Sequence, residues 1–505
     1  MARENMTRVV ALSVLSLSCV SCILVLAGCS KKKQPSTSET SSVGVPSQFR
    51  DLRKLPGTVF DVTYTPNTVR IDLPTVQKTL HSLSDDGRVF VFDASNSRLR
   101  ELAEGKVMFL EHLGVRRVLA VQTQASQIAV LTEPAALTDF IQDGNIQFSV
   151  PVNFRELQAR TTALPKPVDS WASRISSWVA PPVAYASESE PKLSVHTKGE
   201  INDWEFEIEG EPEKDGLSLS LEAAKKKLAG LTASVTAKGE LQHVSTAFKV
   251  LIHGGKMQSF EYSTPIQGHL NVSWAVLTNG ANSGIGEARL KLPPFAKDVF
   301  DIYGIPFLFK IDEALIFKPG FGGKKDAAEG GFHVTYDGSG GLAIHGDQSS
   351  PQGSIIAEPS PDKTTAESLA AHGVVLAINA PKVSVSLGTE SMKEAIKEAL
   401  PAELGDKVAE LLEKGPFGLG GLVKSVKEDF FKIEGAAYLQ LVMEFDYAGS
   451  GPLSIVPCSM THLNFYAQAG ADATLFALKG ESPKLNLKET KLTFREPDID
   501  ACGQR

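Results

Sequence analysis

The residues of this chain best placed to do chemistry are a few thiols. Cys29 follows Leu26-Ala27-Gly28 at the end of an apolar run that begins at Val9, and Lys31, Lys32 and Lys33 come directly after it. Small residues in the two positions before a cysteine let a peptidase approach the backbone, and the thiol behind them is a nucleophile that can be acylated. Cys19 and Cys22 have C-x-x-C spacing but lie inside the same apolar run. Ser16 and Cys19 stand three positions before them, where an aliphatic residue is wanted, so neither processing nor a redox or metal role is expected there. Cys458 and Cys502 are the only other cysteines after residue 28. They are a candidate disulfide, which would close a loop of about 45 residues and contribute roughly 4 kcal/mol in the chain-entropy model.

The elements around Cys29 have the order of an export signal. Arg3 and Arg8 make a positive start, and Val9 to Leu26 supply the apolar segment. Leu26-Ala27-Gly28-Cys29 resembles the lipobox of bacterial lipoproteins, over about the first 30 residues of the chain. The resemblance implies a signal peptide over 1–28, a diacylglyceryl thioether on Cys29 and a third acyl chain, such as palmitate, on its amine. It further implies a membrane partner, because several acyl chains anchor stably where one is marginal. Ser30, rather than Asp, favours the outer membrane over the inner one by resemblance to enterobacterial sorting. The competing reading is an uncleaved span, since about 18 apolar residues just suffice to cross a bilayer.

Other arrangements that resemble chemical motifs fail in detail. Ser360-Pro361-Asp362-Lys363 has S-x-x-K spacing, but neither S-D-N nor K-T-G accompanies it. The stretch Gly415 to Ser425 has the flavour of a phosphate loop, yet Val423 stands where glycine is required before Lys424-Ser425. Glu205, Glu207 and Glu209 alternate with Trp204, Phe206 and Ile208. Carboxylates two apart on one strand face lie about 6.5 to 7 Å from each other, too far for one cation without loop ligands, so a solvated acidic face is expected. His81 and His112 stand alone, the closest histidine pair being His243 and His253, and structural roles are expected for them. No catalytic residue, metal or cofactor is assigned. Lys plus Arg total 51 against 59 Asp plus Glu, so no basic footprint for nucleic acid exists.

The periodicity predicts a mainly β protein with minor α. After the signal peptide comes a tether, 29–48, rich in Ser and Thr. At about 5 to 6 Å times the square root of the residue number, its mean reach is about 24 Å. Residues 49–155 read as a small β barrel or sandwich with strands near 59–64, 89–92, 106–111, 115–122, 127–132 and 146–150, and a helix over 135–142. A Pro/Ser/Trp linker follows, 156–192, in which Trp171, Ile175 and Trp178 share a helical face. Residues 193–388 read as a large antiparallel β region, with separate strands at 260–264 and 269–277 and interrupted by loop-rich sequence over 318–363. Strands from 433 to 505, among them 453–456 and 473–478, complete that domain.

Between these β regions lies a helical insertion, 389–432. Its apolar faces must be covered, since each fully buried Leu, Val, Ile or Phe contributes roughly 1.5 to 3 kcal/mol. If the sheet covers them incompletely, Met392, Ile396, Leu419, Leu422, Val426 and Phe430 become contacts for a hydrophobic ligand such as a lipid. The function expected is therefore a membrane-anchored, non-catalytic binding or scaffolding module of the cell envelope, for a lipid or protein ligand. The alternatives are a surface adhesion or structural protein and an envelope hydrolase without a recognisable motif.

Overall fold

The computed structural model describes residues 49–497, apart from 85–86, 155–194, 202–203, 214–215, 226–230, 279–287, 292–295, 313, 322–326, 368–371, 390–435, 451–457 and 477–482. The chain is mainly β with minor helix. It begins with β1 (Arg50–Asp51) and β2 (Val59–Tyr64), both of which serve the large sheets. Six strands then make a sheet of their own: β3 (Thr68–Ile71), β4 (Leu80–Leu83), β5 (Val89–Asp93), β6 (Val107–Leu110), β7 (Gly114–Gln124) and β8 (Gln127–Pro134). Their order is β3-β6-β7-β8-β5-β4. Helix α1 (Leu73–Thr79) starts where it does because Asp72 accepts the Thr75 N–H at 2.7 Å and Pro74 suits a first turn. A one-turn helix, α2 (Ser97–Arg100), is capped by Asn96. β6 is apolar throughout because each face meets a core. Met108 and Leu110 pack with Val76 and Leu99, while Val107 and Phe109 belong to the main core of the molecule.

The helix expected over 135–142 is reduced to a single turn, α3 (Leu137–Phe140). The Asp139 carboxylate folds back to accept the Ala136 N–H at 2.8 Å, and Ile141 already pairs with Tyr64. The strand β9 (Ile141–Pro151) therefore starts five residues before the expected Ile146. β2 and β9 pair with each other inside the eleven-stranded sheet, so positions 49 and 155 do not mark the edges of the six-stranded one.

The remaining strands build two large sheets. β10 (Val195–Ile201), β11 (Trp204–Pro212), β12 (Gly216–Lys225), β13 (Leu231–Gln242), β14 (Ser245–His253) and β15 (Lys256–Thr278) belong to the first. β16 (Ala288–Lys291), β17 (Ala296–Ile302), β18 (Ile305–Asp312) and β19 (Ala314–Phe321) open the second. β20 (Ala327–His345), β21 (Gln348–Pro361) and β22 (Thr365–Glu367) return to the first, and β23 (His372–Leu387), β24 (Ala436–Gly449), β25 (Ser459–Ala471) and β26 (Lys484–Glu496) complete the second. Both sheets branch at a long strand. β15 pairs with β14 through 256–263 and with β13 through 267–278, and with β20 along its other edge. β23 divides in the same way between β19 and β18, with β24 opposite.

One continuous apolar core joins the two sheets. Phe148 and Phe248 stack at 5.0 Å and each meets Phe307 of the facing sheet at 5.3 Å, while Trp274 packs 6.0 Å from Phe445. The alternation in β11 is the one expected, with Trp204, Phe206 and Ile208 buried and Glu205 and Glu209 exposed.

Three expectations are corrected. The stretch 318–363 is not loop-rich but holds most of β20 and β21, two of the longest strands. Gly330, Gly331, Gly338, Gly340, Gly341 and Gly353 are sites of close approach, not breaks. The strand expected over 473–478 begins as a 3-10 turn, Ala473–Phe476, started by Asp472 accepting the Thr474 N–H at 2.8 Å and burying Leu475 and Phe476. The separate strands expected at 260–264 and 269–277 are one strand, β15. The helices expected within 390–431, the linker tryptophans and the strand over 453–456 lie outside the described residues.

Candidate functional site

The site grows from two turns that should repel ordinary side chains. Glu111-His112-Leu113 joins β6 to β7, and Tyr303-Gly304 joins β17 to β18. His112 has φ +66° and Tyr303 has φ +50°, left-handed conformations that non-glycine residues adopt at a cost of about 1 to 3 kcal/mol. Gly304, at φ +89°, completes the second turn, and a Cβ there would lie 3.3 Å from Cβ of Glu111. The two turns bind each other. The His112 N–H donates to the Gly304 carbonyl at 2.7 Å, and the Gly304 N–H donates to Asp301 Oδ1 at 3.1 Å. Asp301 Oδ2 then lies 2.8 Å from His112 Nδ1. A carboxylate accepts, so Nδ1 is the donor of this bond. The His112 side chain is 5% exposed and that of Asp301 0%. Nε2 is enclosed and has no hydrogen-bond partner among the described residues.

Charged and aromatic groups surround this pair. Glu111 takes a 2.6 Å ion pair from Arg70, whose guanidinium also lies 4.9 Å from the Tyr64 ring centroid. Burial pushes the Tyr64 hydroxyl up to about 12, against the opposing pull of Arg70. On the other side β1 pairs with β17 in parallel, making Asp51 the register partner of Asp301. Arg53 grips Asp51 with a two-point fork, Nε to Oδ1 at 2.9 Å and Nη2 to Oδ2 at 2.8 Å. That fork holds the Asp51 carboxyl below the usual carboxylate range. Arg53 also covers the ring of Tyr303 at 5.8 Å, and Tyr303 stacks on Phe60 at 4.6 Å. Aromatic clamping of this kind holds the strained Tyr303 in place.

A histidine held by a buried carboxylate is two-thirds of a nucleophile-activating relay. Here the nitrogen that would take a proton from a nucleophile is sealed from solvent and bonded to nothing described. The pair also acts as a clasp. It ties the six-stranded sheet, through the β6–β7 turn, to the nine-stranded sheet through the β17–β18 turn.

The sequence-predicted residues are placed as follows. His112 has a structural partner, 189 residues away. His81 lies at the surface, 4.0 Å from Asp93, and His243 and His253 do not form a pair: one bonds Gln267 at 3.0 Å and the other Asp143 at 2.7 Å. Ser360 and Pro361 end the strand β21. Cys458 is disulfide-bonded, while Cys502 lies outside the described residues. Cys29, Met392, Ile396, Leu419, Leu422, Val426 and Phe430 also lie outside them. Sequence reasoning missed Asp301, Arg70 and Tyr303. Tyr303-Gly304 between two apolar runs was the available signal, since a two-residue hairpin loop of this kind needs φ above zero at both positions.

Among the described residues, no group of three or more His, Cys, Asp or Glu could hold a metal ion, and no helix is long and apolar enough to cross a membrane. No curated protein and no solved structure matches the chain. Residues 54–143 match the model of a family described as a domain of unknown function (DUF8403). The matched stretch includes Tyr64, Arg70, Glu111 and His112, and stops before Asp301.

Proposed function

We propose that the protein is a lipid-anchored component of the bacterial cell envelope whose β body is a rigid, non-catalytic scaffold or binding module. Cys29 carries the anchor, residues 30–48 tether the body to the outer membrane, and the body presents its sheets to a partner or ligand. The observation that carries the scaffold reading is the His112–Asp301 clasp. Two strained turns and a buried pair lock separate sheets together, with the one basic atom of the pair enclosed. The disulfide at Cys458 supports an exported, oxidising location.

Intact mass spectrometry of the membrane fraction tests the anchor: the mature chain should begin at Cys29 and carry acyl mass, and Cys29→Ala should abolish both. Complementation of a deletion strain tests the scaffold. Cys29→Ala should fail, whereas His112→Gln should complement to the extent that it is folded and anchored. Loss of function in a fully folded, anchored His112→Gln protein would overturn the non-catalytic reading.

A further inference from the structure

The outer face of the eleven-stranded sheet carries a cleft beside the point where the sheet branches. β15 changes partner between Ser263, paired with Ala247 of β14, and Gln267, paired with Gln242 of β13. The turn that connects β13 to β14 fits into this gap, with His243 at φ +54°. Pro265, which has no N–H to offer a ladder, stands in the stretch that the change of partner skips. The cleft next to it has a volume of about 310 Å³, at the small end of the range of roughly 300 to 1,000 Å³ usual for ligand sites.

Register arranges the floor of the cleft. Gln242, Gln267, Asp337 and Ile356 are successive cross-strand partners on β13, β15, β20 and β21. Two residues along each strand, and so on the same face, Glu240, His269, Thr335 and Glu358 form a second row. Strand spacing of about 4.8 Å and a two-residue rise of about 7 Å make this a patch of about 14 Å by 7 Å.

Hydrogen bonds already made on the floor fix what it offers. The imidazole Nδ1 of His243 lies 3.0 Å from Gln267 Oε1, which occupies the amide oxygen and leaves the Gln267 NH₂ as donor. Gln242 donates through Nε2 to Glu240, which leaves its amide oxygen as acceptor. Asp337 follows as a further acceptor. The first row thus alternates acceptor, donor, acceptor and ends on the exposed apolar side chain of Ile356. A bare cation wants acceptors alone, and an anion wants donors and is repelled by Glu240, Asp337 and Glu358. A hydroxyl is donor and acceptor at once, and a sugar ring adds apolar C–H faces to its hydroxyls.

The geometry points to this cleft as a binding site for a neutral saccharide of one or two rings, its hydroxyls on Gln242, Gln267 and Asp337 and a C–H face on Ile356. The inference concerns the outer sheet face and does not depend on the anchor or on the clasp.

Saturation-transfer difference NMR on the full chain in a sugar-free detergent tests it, with neutral disaccharides (maltose, cellobiose and N,N′-diacetylchitobiose) as probes. At least one should receive saturation, and Ca²⁺ or spermidine should not displace it. Gln267→Leu and Asp337→Ala, each expected to keep the thermal transition of the parent, should each weaken binding about tenfold, the equivalent of one lost hydrogen bond of 1.4 kcal/mol. No transfer to any of the three sugars overturns the proposal. So does transfer that persists unchanged in both folded variants, or displacement by the cations, which would make this a cation site.

Discussion

Gly330 lies directly under the indole of Trp274, its register partner on β15, so that a Cβ at position 330 would stand 2.9 Å from Trp274 Cζ2 and 2.7 Å from Thr364 Oγ1. The ring is 2% exposed and cannot swing aside, whereas the threonine hydroxyl can. Gly341 is tighter still, because a Cβ there would meet the backbone oxygen of Tyr262 at 1.9 Å. Gly346, in the β20–β21 turn at φ +60°, has no neighbour within 4 Å.

Alanine at these three positions should therefore give a graded series in urea unfolding. Gly330→Ala should cost about 1 to 3 kcal/mol as overpacking, and Gly341→Ala should cost more because backbone must move. Gly346→Ala should cost only about 1 kcal/mol, for its left-handed backbone. Equal losses at all three would show that close approach does not set the cost of adding a Cβ.

These glycines also explain what the sequence withheld. Alternation in β11 was legible because Trp204, Phe206 and Ile208 face one way and the glutamates the other. Glycine is ambiguous in a single sequence, since a turn and a crowded strand both require the absence of a Cβ. The stretch 318–363 therefore read as loop although it holds most of β20 and β21. The clasp was illegible for another reason. His112 has no neighbour in sequence that marks it, and Asp301 is brought to it only by the folding of two sheets. The polar row of Gln242, Gln267 and Asp337 likewise comes from three strands whose register no local pattern encodes.

The Asp51–Arg53 fork predicts a pH dependence of stability. Its hydrogen bonds hold the Asp51 carboxyl below the ordinary carboxylate range in the folded protein, so the folded state binds that proton less readily than the unfolded state. The stabilisation is therefore present above the unfolded carboxyl value of about 3.9 and is lost as pH falls through the lower folded value. Arg53→Gln should be less stable than the parent at pH 6, and the gap should narrow as pH falls below the unfolded carboxyl value of about 3.9. Denaturant unfolding at a series of pH values measures it. A gap that stays constant down to pH 2 would assign Arg53 a packing role on Tyr303 instead.

Cys458 stands at the entrance of β25, where its N–H donates to Ser450 Oγ at 2.7 Å and its carbonyl accepts the Ser450 N–H at 2.8 Å. Its disulfide is fastened to a position that these bonds to Ser450 already fix. The expected partner is Cys502. Non-reducing peptide mapping should recover the two cysteine peptides joined, and reduction should destabilise the protein by roughly 4 kcal/mol for a loop of about 45 residues. Cys502→Ala should match the reduced parent, and reduction of that variant should cost nothing further. A Cys458 still bonded in Cys502→Ala would mean that the pairing is wrong.

The clasp yields the sharpest energetic test, because its two halves are unequal. Removing the imidazole with His112→Ala leaves the Asp301 carboxylate fully buried with the Gly304 N–H as its remaining hydrogen-bond donor among the described residues, and stranding a buried charge costs about 3 to 5 kcal/mol. Removing the carboxylate with Asp301→Ala leaves the buried Nδ1–H of His112 as an unmet donor, which costs about 1 to 3 kcal/mol. The double variant has neither stranded group, so its loss should fall below the sum of the single losses by at least 1 kcal/mol, well outside the few tenths expected of independent sites. His112→Asn should recover part of the loss only if its amide reaches Asp301, and Gly304→Ala should act separately by straining the facing turn. Equilibrium unfolding of the four proteins in urea, followed by tryptophan fluorescence and far-UV circular dichroism, supplies all the terms. Strict additivity would show that the two side chains do not act together, and the joint between the sheets would then rest on the backbone bond from His112 to Gly304 and on the core packing of Val107 and Phe109.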